Sequence, residues 1–302
     1  MSEPDATSGA PVPLSEHSRV LIAVHQAMRA DSVRLIGAVA ALPDGDTERA
    51  ERLGTAFSAI AGLIHDHHWT EDDVMYPFLL ARISTFEDDA VRLEDDHVEL
   101  DAAMARVGAR FRLLAHQLSP RLWADTRDHL QDEVAALRQV LIDHLDREEA
   151  VVVPAFETAL STVDHRALRK QESKLATYRH MKMAIPWVLA NATPQEEAEL
   201  RATAPRLLGV VQDHVWEPRF RQVMAPLYGA PGEGPTSAAR TAALPCATGC
   251  AGPPPARPKP AAPTWRPDWP ASTAACCSPR ASRRGPSRQE CRRRPRAPLP
   301  CS

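Results

Sequence analysis

The chain has 302 residues and a formal net charge of −3 at pH 7, but the near-neutral total hides two unlike regions. Residues 231–302 carry 12 Lys and Arg against 3 Asp and Glu, which leaves residues 1–230 at −12. An acidic body argues against nucleic-acid binding, the longest apolar runs are too short for a membrane span, and residues 1–230 contain no cysteine for a disulfide or thiolate metal site.

The opening MSEPDATSGAPVPL lacks a basic segment followed by an apolar one, so it does not read as a secretion signal. Residues 1–13 are expected to be disordered and the protein cytoplasmic. From Leu14 apolar residues recur at three- and four-residue spacing through Val20, Leu21, Val24, Met28, Leu35 and Val39, which is helix periodicity. The pattern stops at the turn signal Pro43-Asp44-Gly45. Further helical stretches are expected over about 46–80, 86–117 and 121–160, the last entered through Ser119-Pro120. No stretch alternates like a strand. Four long amphipathic helices with short connections make an all-α fold, an antiparallel four-helix bundle over residues 14–162.

Residues 163–229 read as an accessory helical segment, helical over 164–183, broken at Pro186 and Pro194, and resuming over 195–228 with interruptions at Pro205 and Pro218. Residues 230–302 read as a disordered tail. From Pro231 onward the tail holds 16 of the 28 prolines and all six cysteines, with no Ile, Val, Phe, Tyr or Met, so it cannot bury enough apolar surface to offset its ordering entropy. Its arginines suit polyanions, and its alphabet also fits an out-of-frame reading of a GC-rich gene. Its cysteines lack repeated CxxC knuckles, which argues against zinc there.

The second and fourth helices carry one pattern twice. His67-x3-Glu71-Asp72-x4-Pro77 is repeated 77 residues later as His144-x3-Glu148-Glu149-x4-Pro154. Residues four apart on a helix share a face, so each pair can offer an imidazole nitrogen and a carboxylate oxygen to one place. The helices between supply one central histidine each, His25 and His97. Four imidazoles and two carboxylates without thiolates suit a pair of first-row metal ions, with iron leading. Buried without a cation, the acidic groups would be costly.

On these motifs residues 14–160 resemble the hemerythrin-like (HHE cation-binding) domain. The resemblance implies a non-haem di-iron centre, two iron ions, with His25, His67, His97 and His144 as terminal ligands and Glu71 and Glu148 as bridges. It implies a small ligand such as O2, NO or peroxide, and the segment after the bundle looks like an extension seen in some bacterial members. Glu149, five residues after His144, is a second candidate bridge. Oxygen-carrying hemerythrins place a fifth histidine four residues after the third-helix histidine, where this chain has Asp101. A carboxylate there can ligate, leave the coordination open or face solvent, which weakens reversible oxygen carriage and leaves room for sensing or peroxide chemistry.

Around the helix, His65 and His68 point about 200° and 100° away from His67. His65 is expected at the rim and His68 in solvent, with Asp72-Asp73 and Asp88-Asp89 on solvated faces. His17, His116, His129, His165, His180 and His214 have no partner pattern, and Tyr76, Phe78, Val151 and Phe156 read as core. Three functions compete: a di-iron protein that binds or senses a small ligand, its redox partner unknown; a peroxidase- or catalase-like or NO-reducing enzyme; and a helical metal phosphohydrolase. The last would use His65-Asp66 with His25 and Asp143, but leaves the repeat unexplained. Ferritin-like chemistry needs two E-x-x-H motifs, and only Glu94-x2-His97 fits.

Overall fold

A computed structural model describes residues 14–117, 119–203 and 206–229. The expected disorder of the N-terminus and tail lies outside the described residues. Every regular element among those described is helical: α1 (Glu16–Ala40), α2 (Thr47–Thr70), α3 (Tyr76–Leu80), α4 (Glu87–His116), α5 (Pro120–Ala159), α6 (Thr162–Glu172), α7 (Tyr178–Asn191), α8 (Pro194–Thr203), α9 (Arg206–Val211) and α10 (Glu217–Tyr228).

Local chemistry sets the boundaries. Ser15 caps α1 by accepting from the Ser18 N–H. Gly45, at φ 78°, makes the turn that a β-carbon would strain, and Asp46 then caps α2 through the Arg49 N–H. Three acidic residues in the first turn of α4 complement its dipole, and Pro120 opens α5, where a missing N–H costs nothing. Ser161 and Asp164 form a reciprocal capping box at α6. Gly229, at φ 84°, closes α10.

Between α2 and α3 the chain keeps turning as one wide π turn, Glu71–Met75, in which the Tyr76 N–H reaches back five residues to the Glu71 carbonyl. The widening makes room beside Pro77, which has no N–H to give and whose ring crowds the carbonyl four residues back. The same device recurs at Gln212–Trp216 before Pro218. The accessory segment departs from expectation at Pro186, which α7 carries in its interior rather than ending there.

Helix α4 packs against α2 and α5, and α5 packs against α1; α1 and α2 meet only lightly, and α10 lies against both. Two apolar clusters fill the interior. Met28, Leu53, Phe57, Leu100, Trp123 and Leu141 belong to one, and Leu21, Met75, Leu93, Phe86, Val152 and Phe156 to the other. Along α1 and α4 the chain passes from the second cluster to the first; along α2 and α5 it passes back. His25, the His67–Glu71 turn, His97 and the His144–Glu148 turn all fall at the crossing between clusters.

The accessory helices are anchored by one buried polar knot. Asp31 on α1 accepts from Trp187 Nε1 on α7 at 2.8 Å, Tyr228 Oη on α10 at 2.7 Å and Arg34 Nη1 at 2.6 Å. Asn191 completes it, donating to Tyr228 Oη and accepting from Arg34. Burial pushes the Asp31 carboxyl up, and these donors pull against that rise.

Candidate metal centre

The six residues singled out by the repeat and the two lone histidines converge. In one half, His25 Nε2 lies 3.2 Å from His67 Nε2 and 3.2 Å from Glu148 Oε2, while His67 Nε2 lies 2.7 Å from Glu71 Oε1. In the other, His97 Nε2 is 3.6 Å from Glu71 Oε2, and His144 Nε2 is 3.7 Å from Glu148 Oε2. Each glutamate therefore reaches histidines of both halves. All six are buried except His67, which keeps a small exposed edge.

A seventh residue joins them, contrary to the expectation from helical angle. His68 is 3 % exposed, its ring stacked on His97 at 4.0 Å and edge-on to His144 at 5.2 Å. The angular argument measured His68 from His67 correctly but assumed solvent on that side, where α4 and α5 stand. Potential ligand atoms of His68, His97 and His144 lie within 4.8 Å of one another, as do those of His25, His67, Glu71 and Glu148.

Carboxylates outside the cluster orient the rings. His25 Nδ1–H donates to Glu149 Oε1 at 2.9 Å, and Arg29 holds that same oxygen at 2.6 Å. His97 Nδ1–H donates to Asp72 Oδ1 at 2.8 Å. His144 Nδ1 faces Asp96 Oδ2 at 3.5 Å, and Arg147 pairs with Asp96. A carboxylate on Nδ1 fixes the tautomer that leaves the Nε2 lone pair facing inward, the arrangement found around metal-bound histidines. Asp72 is thus a ring-orienting group and not a solvated bystander, and Glu149 stands behind His25. Tyr76 Oη donates to Glu148 Oε1 at 3.0 Å, and its ring stacks on His97, so Tyr76 serves the site besides packing.

The electrostatics fit a cation. Of the eleven buried side-chain polar atoms without a hydrogen-bond partner among the described residues, eight belong to His68, Glu71, His97, His144 and Glu148. Orphaned buried groups are rare and costly, and here they are gathered in two neighbouring groups of potential ligand atoms. Burial, reinforced by the neighbouring His25, pushes the His67 imidazole down to about 3. Burial likewise holds His68 far below its ordinary value, so both rings are neutral donors of a lone pair at pH 7. Burial and the adjacent Glu148 raise the Glu71 carboxyl. Burial works against ionisation of Glu148 too, but its bond to His25 and its attraction to His25, His67 and His144 together outweigh this and lower it. His25 is the mirror case: burial pulls it down, and Glu148 and Glu149 together raise it. Imidazoles with two carboxylates, and no thiolate, form a donor set suited to divalent iron or a similar first-row ion.

Residues 17–156 match the family described as the hemerythrin HHE cation binding domain. That segment belongs to the hemerythrin HHE family. No curated protein and no solved structure matches the chain.

Other sequence candidates fall outside this HHE centre. Asp101, at the position of the oxygen carriers' fifth histidine, is half-exposed and faces His65 at 3.4 Å. His65 is exposed, Asp66 pairs with His180, and Asp143 pairs with Gln139, so the constellation a phosphohydrolase would need is not assembled. His116, His129 and His214 are exposed. His17 is buried against His165 and Glu172 on α6. A cavity of about 360 Å3 reaches the centre from one side, walled by α1, α2 and the accessory helices α6 and α7. His67 and Glu71 line it beside Val24, Leu63, Met75 and Trp187, whereas His68, His97 and His144 do not.

Two signals for the outer carboxylates were in the sequence. Each repeat carries a second acidic residue straight after its glutamate, and these, Asp72 and Glu149, are the residues that orient His97 and His25. Nothing local marks His68 apart from its being one of three histidines in four positions.

Proposed function

We propose that the protein holds two iron ions in the core of an antiparallel four-helix bundle and uses them to bind or sense a small ligand such as O2, NO or peroxide. The bundle reading draws support from the alternating direction in which α1, α2, α4 and α5 cross the two apolar clusters. The iron reading draws on one observation above others: two groups of converging imidazole and carboxylate atoms, many of them buried without a hydrogen-bond partner, linked by Glu71 and Glu148.

His25 and His67 would hold one ion and His97 and His144 the other, with Glu71 and Glu148 shared and neutralising the paired charge. When bound, the iron pair supplies redox-active positions at which a small ligand can be taken up. The chain's own contributions surround it. Glu149, Asp72 and Asp96 keep the lone pairs aimed inward, and Tyr76 fixes Glu148 with a phenolic proton that can be shared with that carboxylate. Packed apolar side chains keep water from the His97 and His144 side. Access is from the cavity side, past Val24, Leu63 and Trp187 to His67, and these apolar walls favour a neutral small ligand over a hydrated anion.

Anaerobic loading with iron(II) followed by metal analysis tests this. About two irons per chain are expected, whereas one zinc and no iron affinity would remove the reading. Steady-state peroxide consumption by the loaded protein then separates ligand binding from peroxide turnover.

A further inference from the structure

A histidine with both ring nitrogens unpartnered is an unusual thing to bury. His68 is such a residue: an apolar side chain would fill the same space without stranding two polar atoms. No carboxylate or carbonyl sits on its Nδ1, unlike His25 and His97, so its position is not explained by a hydrogen-bond network inside the protein. Its ring lies parallel to His97 within 7°, at 4.0 Å between centroids, and edge-on to His144. Each of the three offers a ligand atom within 4.8 Å of the other two, near enough for small ring movements to bring them round a single ion.

Resting on the two-ion reading above, we propose that His68 is a fifth imidazole ligand, shared with His97 and His144 on the ion farther from the cavity. Adjacent residues of one helix then serve different ions. His67 and His68 diverge by about 100° around α2, which sends the first toward α1 and the second toward α4 and α5. The imidazole that Asp101 fails to supply from α4 is supplied from α2. The consequence is an unequal pair of sites, three imidazoles on the closed side and two on the side lined by the cavity.

The test uses the full chain loaded anaerobically with iron(II), comparing wild type with His68→Ala, His68→Gln and the exposed control His65→Ala. Iron stoichiometry, competition with a chelator and proton NMR of exchangeable imidazole N–H signals shifted by the iron are read together. Wild type and His65→Ala are expected to give five shifted N–H signals, and both His68 variants four. The His68 variants should also hold iron at least tenfold more weakly, with added imidazole restoring part of that loss in His68→Ala. His68→Gln, which keeps the space filled, is the variant to read if His68→Ala does not fold by circular dichroism. Unchanged signals and affinity in a folded His68 variant, with wild type still taking two irons, would overturn the role of His68 alone. A wild type that takes up fewer than two irons would remove the two-ion reading and this inference with it.

Discussion

Two buried polar clusters sit within one body of this protein, and they are built on opposite principles. Around Asp31, Trp187, Tyr228 and Arg34 all donate to a single carboxylate and Asn191 ties the donors together, so the carboxylate is met from three sides. Around Glu71 and Glu148, carboxylate oxygens and imidazole nitrogens face one another with few protons between them, and most have no partner. The first cluster is complete without anything added and joins α7 and α10 to α1. The second is complete only with positive charge at its centre. Burial alone does not identify a site; the balance of donors and acceptors does.

Substitutions should split the two clusters cleanly. The largest effect is expected at the centre: Glu71→Ala or Glu148→Ala should abolish the optical absorption of a bridged iron pair, while His116→Ala leaves it intact. Retained spectra in both carboxylate variants would undo the bridging role. In the metal-free chain Glu71→Gln should have the opposite sign on stability, raising it by about 1–3 kcal/mol in urea titrations, because a buried carboxyl near another is replaced by a neutral group.

At the other cluster, Asp31→Ala should cost about 3 kcal/mol of stability, since it leaves the Trp187 and Tyr228 donors without their acceptor, yet two irons should still bind. Loss of iron uptake there would mean that the accessory helices help build the centre. Intermediate effects belong to the ring-orienting groups: Asp72→Ala or Glu149→Ala should weaken iron binding by about 10- to 100-fold without changing its stoichiometry.

The smallest effect concerns pH at the start of α6. Bonds from Ser161 and Arg82 hold the Asp164 carboxyl down at about 2. A folded value below the unfolded one means that this cap stabilises above about pH 4 and is lost as pH falls toward 2. Asp164→Asn should therefore lower stability slightly at neutral pH, by a difference that shrinks as pH falls toward 2 and so flattens the acid limb of the stability curve. An equal shift at all pH values would contradict the assigned cause.

The helices and the four repeat residues were legible because period and spacing are local properties of a chain, and the lone His25 and His97 followed from their central place in the other two helices. Pro43-Asp44-Gly45 and Ser119-Pro120 mark their turns for the same reason. His68 was not legible: its placement depends on which neighbouring helix stands 100° from His67, which no single helix reveals. Asp72 and Glu149 were half legible, since the doubled acid recurs in both repeats while the histidine each one orients lies on another helix. Pro186 misled in the other direction. Proline predicts a break, but the α7 turn around it is held by Trp187 and Asn191 in the Asp31 knot.

Mössbauer spectroscopy of the full chain, loaded anaerobically with 57Fe and then oxidised, bears most directly on the paired centre. Two irons joined through shared carboxylates should couple antiferromagnetically and give a diamagnetic ground state at low temperature. Magnetically isolated high-spin ferric ions, or a single iron per chain, would contradict it.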